Sequence, residues 1–262
     1  MLLQAILVET HLWGVLAGLG VVAFVAGLVD SIAGGGGLLT VPALLLVGLP
    51  PKLALGTNKL QASFGSGSAM VHYARGGTVQ PRRLIGPAAW VLLWAGAGSL
   101  AVQHLSNDVL AGVIPVLLLA LLVYLLAKPA AGMVESAPRM KPAAFYAIFG
   151  ATIGFYDGFF GPGTGSFWTL ALVALLGMDL PRAVGHTKVM NFTSNIAALA
   201  WFLVGGWVHV PLGLAMGVGQ LLGARVGSTL VLRGGAKIVR PVLLLVVALT
   251  AGKLLWDWWS GG

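Results

Sequence analysis

Cysteine is absent from the 262 residues, which excludes disulfides, thiol nucleophiles and thiolate metal sites. Charge is nearly as scarce: Asp, Glu, Lys and Arg make up 8% of the chain, where a soluble domain carries about a quarter. A surface so short of charge must face lipid. The histidines have no metal-ligand spacing, with His72, His104 and His209 standing singly at segment ends. No Walker, Rossmann or Ser-His-Asp pattern occurs, and the glycine run Gly34 to Gly37 lacks the Lys-Ser/Thr ending of a phosphate loop. Neither an enzyme nor a cofactor or metal is expected. An intramembrane enzyme or electron carrier would need a nucleophile and base, or haem-ligating histidines on facing helices, and the histidines are badly placed for either.

What the chain has instead is 58% apolar residues and 39 glycines. The apolar residues form long unbroken runs rather than alternating strands, so the expected class is an all-α integral membrane protein with the lipid bilayer as partner. The net charge of +8 does not point to nucleic acid, because the basic residues sit between apolar runs rather than in one patch. Met1 to His11 contains Glu9 and no Lys or Arg, unlike a signal peptide, so the first run is expected to stay as a span.

Ten segments are expected. Leu12 to Val29 ends at Asp30 and the glycines, and Leu38 to Leu49 has only 12 residues, roughly 18 Å as a helix against a hydrocarbon layer of about 30 Å. Leu53 to Tyr73 contains Lys59, and Leu84 to Val102 and Val109 to Ala127 follow, the last with Pro115. The second half repeats the order. Ala143 to Tyr156 leads into Asp157, Phe167 to Met178 is again short, Val189 to Val208 follows Lys188, Val210 to Leu232 carries Arg225, and Ile238 to Leu255 closes the series. The expected division is a first repeat over 1–127, a polar linker over 128–142 with Glu135, and a second repeat over 143–262.

The halves share one pattern: an acid, a glycine break, a short apolar segment and a lysine. Asp30 precedes Lys59 by 29 residues and Asp157 precedes Lys188 by 31. Arg75, Arg82, Arg83, Lys128, Arg139, Lys141, Arg233, Lys237 and Arg240 are nine of the fifteen basic residues. They share the cytoplasmic side only if each half crosses the membrane an odd net number of times. That parity makes two inverted repeats of five segments, with one short broken or re-entrant helix in each, and puts both termini outside. Trp256, Trp258 and Trp259 beside Lys253 would anchor the outer interface.

Short, glycine-interrupted segments at matching places in two halves point to a transport site. Helices beginning just after Gly37 and Gly165 would aim amides at a cavity, an arrangement that suits an anion; otherwise the glycines serve close helix packing. Gly34, Gly35, Gly36, Gly37, Gly161, Gly163 and Thr164 are the candidate cradle. Lys59 and Lys188 either bind an anion or snorkel to the interface. Asn58, Gln61, Thr187, Asn191 and Asn195 either supply neutral donors or join helices. Asp30 and Asp157 either relay protons, pair with the lysines, bind a cation or cap a helix. Inverted topology pairs Asp30 with Lys188 and Asp157 with Lys59, across the repeats. His186 stands where the first repeat has Thr57, and either couples protons or packs. Arg225 either gates an inner vestibule or snorkels.

Taken together, Asp30 to Pro42, Gly56-Thr57-Asn58-Lys59, Gly154 to Pro162, Asn191 to Asn195 and Gly219 to Arg225 resemble the TauE/SafE sulfite-exporter family, in particular its bacterial inner-membrane branch. The likeness runs from about residue 12 to 256; Gly161-Pro162-Gly163-Thr164-Gly165 departs from the plain glycine run of the first half. The resemblance implies a permease for small sulfur-containing anions such as sulfite or organosulfonates. The expected function is proton-coupled secondary export of a small anion. A cation carrier built on the two aspartates and a scaffold without transport are the competing readings.

Overall fold

The computed structural model describes the backbone of residues 2–114, 116–117 and 137–234, with side-chain surroundings from residue 14 onward. Those residues form α1 (Leu2–Ala33), α2 (Gly37–Leu46), α3 (Pro51–Arg75), a 3-10 turn (Pro81–Leu84), α4 (Ile85–Gln103) and α5 (residues 107–114). The second half contributes α6 (Pro142–Phe159), α7 (Thr164–Leu176), α8 (Leu180–Val204) and α9 (Val210–Gly234). Among the described residues, three stretches are long and apolar enough to cross a membrane: Gly14–Ala33, Pro81–Gln103 and Val210–Gly234. The expected tenth segment, Trp256, Trp258, Trp259 and Lys253, and Glu135, Lys128, Lys237 and Arg240 lie outside the described residues.

Local chemistry sets the ends. Proline opens α3 and α6, where its missing N–H costs nothing. Asp179 caps α8 by accepting from the Arg182 amide at 2.9 Å, and Gly177 closes α7 in the left-handed region at φ 68°. These signals start α8 well before the apolar run that suggested a segment from Val189. Lys59 and Lys188 are therefore each the ninth residue of their helix, not its beginning. Asp30 and Asp157 likewise lie inside α1 and α6 rather than beyond them. α7 begins one residue before Gly165. α2 and α7 have 10 and 13 residues, roughly 15 and 20 Å, too short to span alone.

Packing is reciprocal between the halves. α1 lies along α9, and its counterpart α6 lies along α4; α3 packs on α9 as α8 packs on α4, and α3 and α8 meet. Glycine permits the two long contacts. A Cβ on Gly223 would stand 1.9 Å from the Phe24 carbonyl oxygen, and one on Gly158 1.9 Å from that of Ala95, so the backbones touch directly. One apolar core gathers Phe145, Trp168 and Tyr73, and a second gathers Leu38, Phe160 and Phe202. Large apolar side chains such as Val21, Leu93 and Val218 point outward, as lipid requires.

Candidate functional site

The two glycine breaks cross each other. Gly34, Gly35, Gly161 and Gly163 all have positive φ, which a side chain would resist. A Cβ on Gly34 would fall 2.4 Å from the Gly165 carbonyl carbon, and one on Gly37 would fall 3.0 Å from Pro162 Cα. The carbonyls freed where α1 ends are taken up locally. Tyr73 donates to the Ser31 carbonyl at 2.7 Å, Ser166 to that of Ala33 at 3.2 Å, and the Gly34 amide to that of Asp30 at 2.9 Å. The broken backbone is thus buried in protein, one of the two settings, with the lining of a cavity, in which a bilayer tolerates it.

Beside the crossing lies a cavity of about 30 Å³, lined by Asp30, Gly35, Gly37, Asn58, Lys59, Ala62, Asp157, Gly161, Gly163, Thr164, Gly165, Asn191, Asn195 and Gln220. That is room for one or two waters. Its charged groups pair across the two halves of the chain. Lys59 donates to Asp157 Oδ1 at 2.6 Å and also to the Asp157 carbonyl oxygen, while Ser194 donates to Asp157 Oδ2. Lys188 donates to Asp30 Oδ2 at 2.8 Å. Both lysines are buried, so neither snorkels. A buried charge without a partner is far costlier than either pair, which fixes these contacts.

The neutral groups have defined orientations. Thr40 donates to Asn58 Oδ1 at 2.6 Å and Gln61 Nε2 donates to the same oxygen at 2.7 Å. With Oδ1 taken, the amide of Asn58 turns its N–H donors elsewhere along the cavity it lines. The second half repeats the link with a shorter side chain, Thr169 and Thr187 hydroxyls meeting at 3.1 Å. Asn195 donates to Ser66 at 3.4 Å. Asn191 Oδ1, Gln220 Oε1 and Gln61 Oε1 are buried with no donor among the described residues.

Not every sequence candidate reaches the cavity. Lys188 stands behind Asp30, Gly34 and Gly36 support the crossing from outside the lining, and Thr187 is likewise set back. His186 lies within 3.1 Å of Met178 Sδ and lines a different cavity of about 910 Å³, along with Arg83, Tyr146 and Arg182. Thr57, its counterpart, accepts from the His209 amide at 2.9 Å; both positions tie a helix to a loop. Arg225 is exposed. Ser194 and Gln220 were missed. Neither has a polar counterpart in the other half; the hint available was that both stand within stretches that carry the family resemblance, Asn191 to Asn195 and Gly219 to Arg225.

The comparisons with known proteins agree with this frame. The chain is 47% identical to "Probable membrane transporter protein ORF9" of Sinorhizobium sp, over 92% of this chain and 93% of that protein. It is 46% identical to "Probable membrane transporter protein YfcA" of Escherichia coli K12, over 90% and 88%, and 43% identical to a "Probable membrane transporter protein" of Haemophilus influenzae, over 90% and 92%. No solved structure matches. Residues 19–254 match the family model described as Sulfite exporter TauE/SafE, and the chain belongs to that family.

Proposed function

We propose that this protein is a secondary-active permease of the bacterial inner membrane that exports a small anion, of the sulfite or organosulfonate class, together with proton movement. The observation that carries the reading is the polar cavity at the crossing of the breaks. It is bordered by the first residues of α2 and α7, by Lys59, and by an Asn58 amide whose oxygen is already occupied. Helix N-termini, an ammonium and an oriented amide N–H are all donors, and together they suit an anion.

Charge balance supplies the coupling. Asp30, Asp157, Lys59 and Lys188 sum to zero, so an anion entering alone would leave a buried negative charge. Protonation of a carboxyl restores neutrality, and proton and anion therefore favour each other's binding. The small volume of the cavity fits an occluded conformation. The larger cavity, beside Arg83 in the 3-10 turn that also bears Arg82 and lies a few residues beyond Arg75 at the end of α3, would be the cytoplasmic mouth by the positive-inside rule. On this reading the halves are inverted, both termini face the periplasm, and export proceeds by rocking one half against the other. The unpaired oxygens of Asn191 and Gln220 are the specific observation that favours the cation carrier as second reading.

Melting temperature of the purified protein against sulfite, methanesulfonate, chloride, sodium and potassium, at two pH values, tests the proposal. The sulfur anions are expected to raise it, more at the lower pH for methanesulfonate, and Asn58→Asp is expected to abolish the rise. A response to a cation with none to any anion would overturn it.

A further inference from the structure

The two acid–lysine pairs are not equivalent. Asp157 is saturated with donors: Lys59 on Oδ1 and on its carbonyl, Ser194 on Oδ2. A proton added there would have to displace Lys59 from Oδ1 or turn the Ser194 hydroxyl away from Oδ2. Asp30 has Lys188 on Oδ2, and on Oδ1 only the Gly36 amide at a long 3.3 Å. Its side chain is 16% exposed, against 4% for that of Asp157, and it lines the cavity together with Asn191 and Gln220, whose side-chain oxygens are buried without a donor among the described residues. Those residues are themselves only 5% and 2% exposed.

We infer that Asp30 alone carries the coupling proton, and that Asn191 and Gln220 are positioning residues whose amide oxygens accept from its protonated carboxyl. A neutral carboxyl needs an acceptor where a carboxylate needs a donor. Among the described residues that line the cavity, Asn191 and Gln220 are the two whose buried side-chain oxygens lack a donor. The neighbourhood is tight: a Cβ on Gly165 would lie 3.0 Å from Asn191 Nδ2 and 3.6 Å from Asp30 Oδ1.

The asymmetry is written in the chain. Lys59 and Lys188 correspond, and the same offset aligns Ser194 with Gly65. The serine binds Asp157 in one half, whereas the glycine of the other makes space for Gln220, whose Cγ would stand 2.4 Å from a Cβ there. The groups facing Asp30 are few. α8 presents Lys188, α3 presents the Tyr73 hydroxyl on the neighbouring Ser31 carbonyl, and Lys59 and Asp157 face it across the cavity. α2 and α7 have no titratable side chain, and α9 offers neutral Gln220 while Arg225 is exposed. Taking up a proton from water, Asp30 releases its hold on Lys188, and the cluster becomes net positive when an anion is to be bound.

The inference rests on the transport reading, yet its test does not need an anion. Infrared difference spectra between high and low pH, in sodium-free buffer, report buried carboxyl protonation directly. A carboxyl component is expected in the wild type that disappears in Asp30→Asn, persists in Ser194→Ala and Asp157→Asn, and shifts frequency in Asn191→Leu and Gln220→Leu. A component that survives Asp30→Asn, one lost only in Asp157→Asn, or none in the wild type would overturn the inference. So would a component that sodium removes at constant pH, which would make Asp30 a cation ligand. Methanesulfonate, which does not titrate in this range, then serves as the second probe. Its affinity is expected to fall about tenfold per pH unit above the Asp30 transition in the wild type and to be independent of pH in Asp30→Asn. Failure of methanesulfonate to bind, with the infrared result intact, would sink the transport reading and leave the Asp30 assignment standing.

Discussion

Lys59 and Asp157 lie 98 positions apart in the chain, yet their charged atoms meet at 2.6 Å with side-chain exposures of 1% and 4%. The lysine also holds the carbonyl of the same aspartate. It therefore serves the C-terminal end of α6, where carbonyls lack helical partners and a positive charge is favoured. This contact binds one half of the protein to the other at the depth of the site.

Removing it is expected to cost more than removing its counterpart. Lys59→Ala strands two acceptors, a buried carboxylate oxygen and the carbonyl of the same residue, and is expected to destabilise by about 3–5 kcal/mol. Lys188→Ala leaves Asp30 bordering a cavity that water can enter, and the loss is expected to be smaller. Chemical unfolding in detergent measures both, with Lys59→Met/Asp157→Leu recovering much of the first loss. Equal losses at the two lysines would contradict the ranking.

Gly161 has φ 95°, and a Cβ on it would stand 2.5 Å from Lys59 Nζ. Gly77 has φ 75° but open space. Ala at position 77 is expected to cost about 1–2 kcal/mol of backbone strain alone. Gly161→Ala must also displace the lysine, and is expected to lose more stability and all anion-dependent stabilisation. Melting curves with and without methanesulfonate separate the two effects.

Asn58→Asp keeps the acceptor that Thr40 and Gln61 use but removes the N–H donors and adds a negative charge. Stability is expected to fall, because the added charge is buried without a counter-ion, though Thr40 and Gln61 keep their partner, so affinity is compared on the folded fraction. Anion affinity is expected to drop at least about tenfold, the equivalent of one lost charge-assisted hydrogen bond. Calorimetric titration with methanesulfonate gives the number, and unchanged affinity would remove Asn58 from the site.

The contact of α1 with α9 is expected to be equally intolerant for a different reason. Gly223→Ala puts a methyl 1.9 Å from the Phe24 carbonyl oxygen, backbone that cannot rotate away. The helices must part, at an expected cost of about 1–3 kcal/mol. Ala in place of Gly112, which has nothing within 4 Å, provides the control.

Much of the site was legible because its chemistry is repeated. The sequence Asp30, glycines, Lys59 and its echo Asp157, glycines, Lys188 marked the breaks and the buried charges, and the parity of the basic loops suggested which acid meets which lysine. Helix starts were read too late: apolar periodicity begins after the polar first turns, whereas Pro51 and the Asp179 cap set the actual beginning. Ser194 and Gln220 escaped for the opposite reason to the lysines. They stand where the halves differ, and only tertiary packing shows that Gly65 leaves room for the one where the serine has no equivalent. Nor could the chain alone orient Asn58, since its amide is turned by a threonine from α2.

The exchange of partners between the halves also bears on how the molecule is made. Asp30 and Lys59 are both synthesised before any residue that neutralises them, and neither is bonded to the other in the finished protein. At about 5–20 residues per second, the ribosome delivers Asp157 and Lys188 on the order of ten seconds later. For that interval the nascent first half holds two ionisable groups at a depth where each costs about 3 kcal/mol. Its early helices must therefore wait near the insertion machinery or at the headgroups, and enter their final positions only when α6 and α8 arrive.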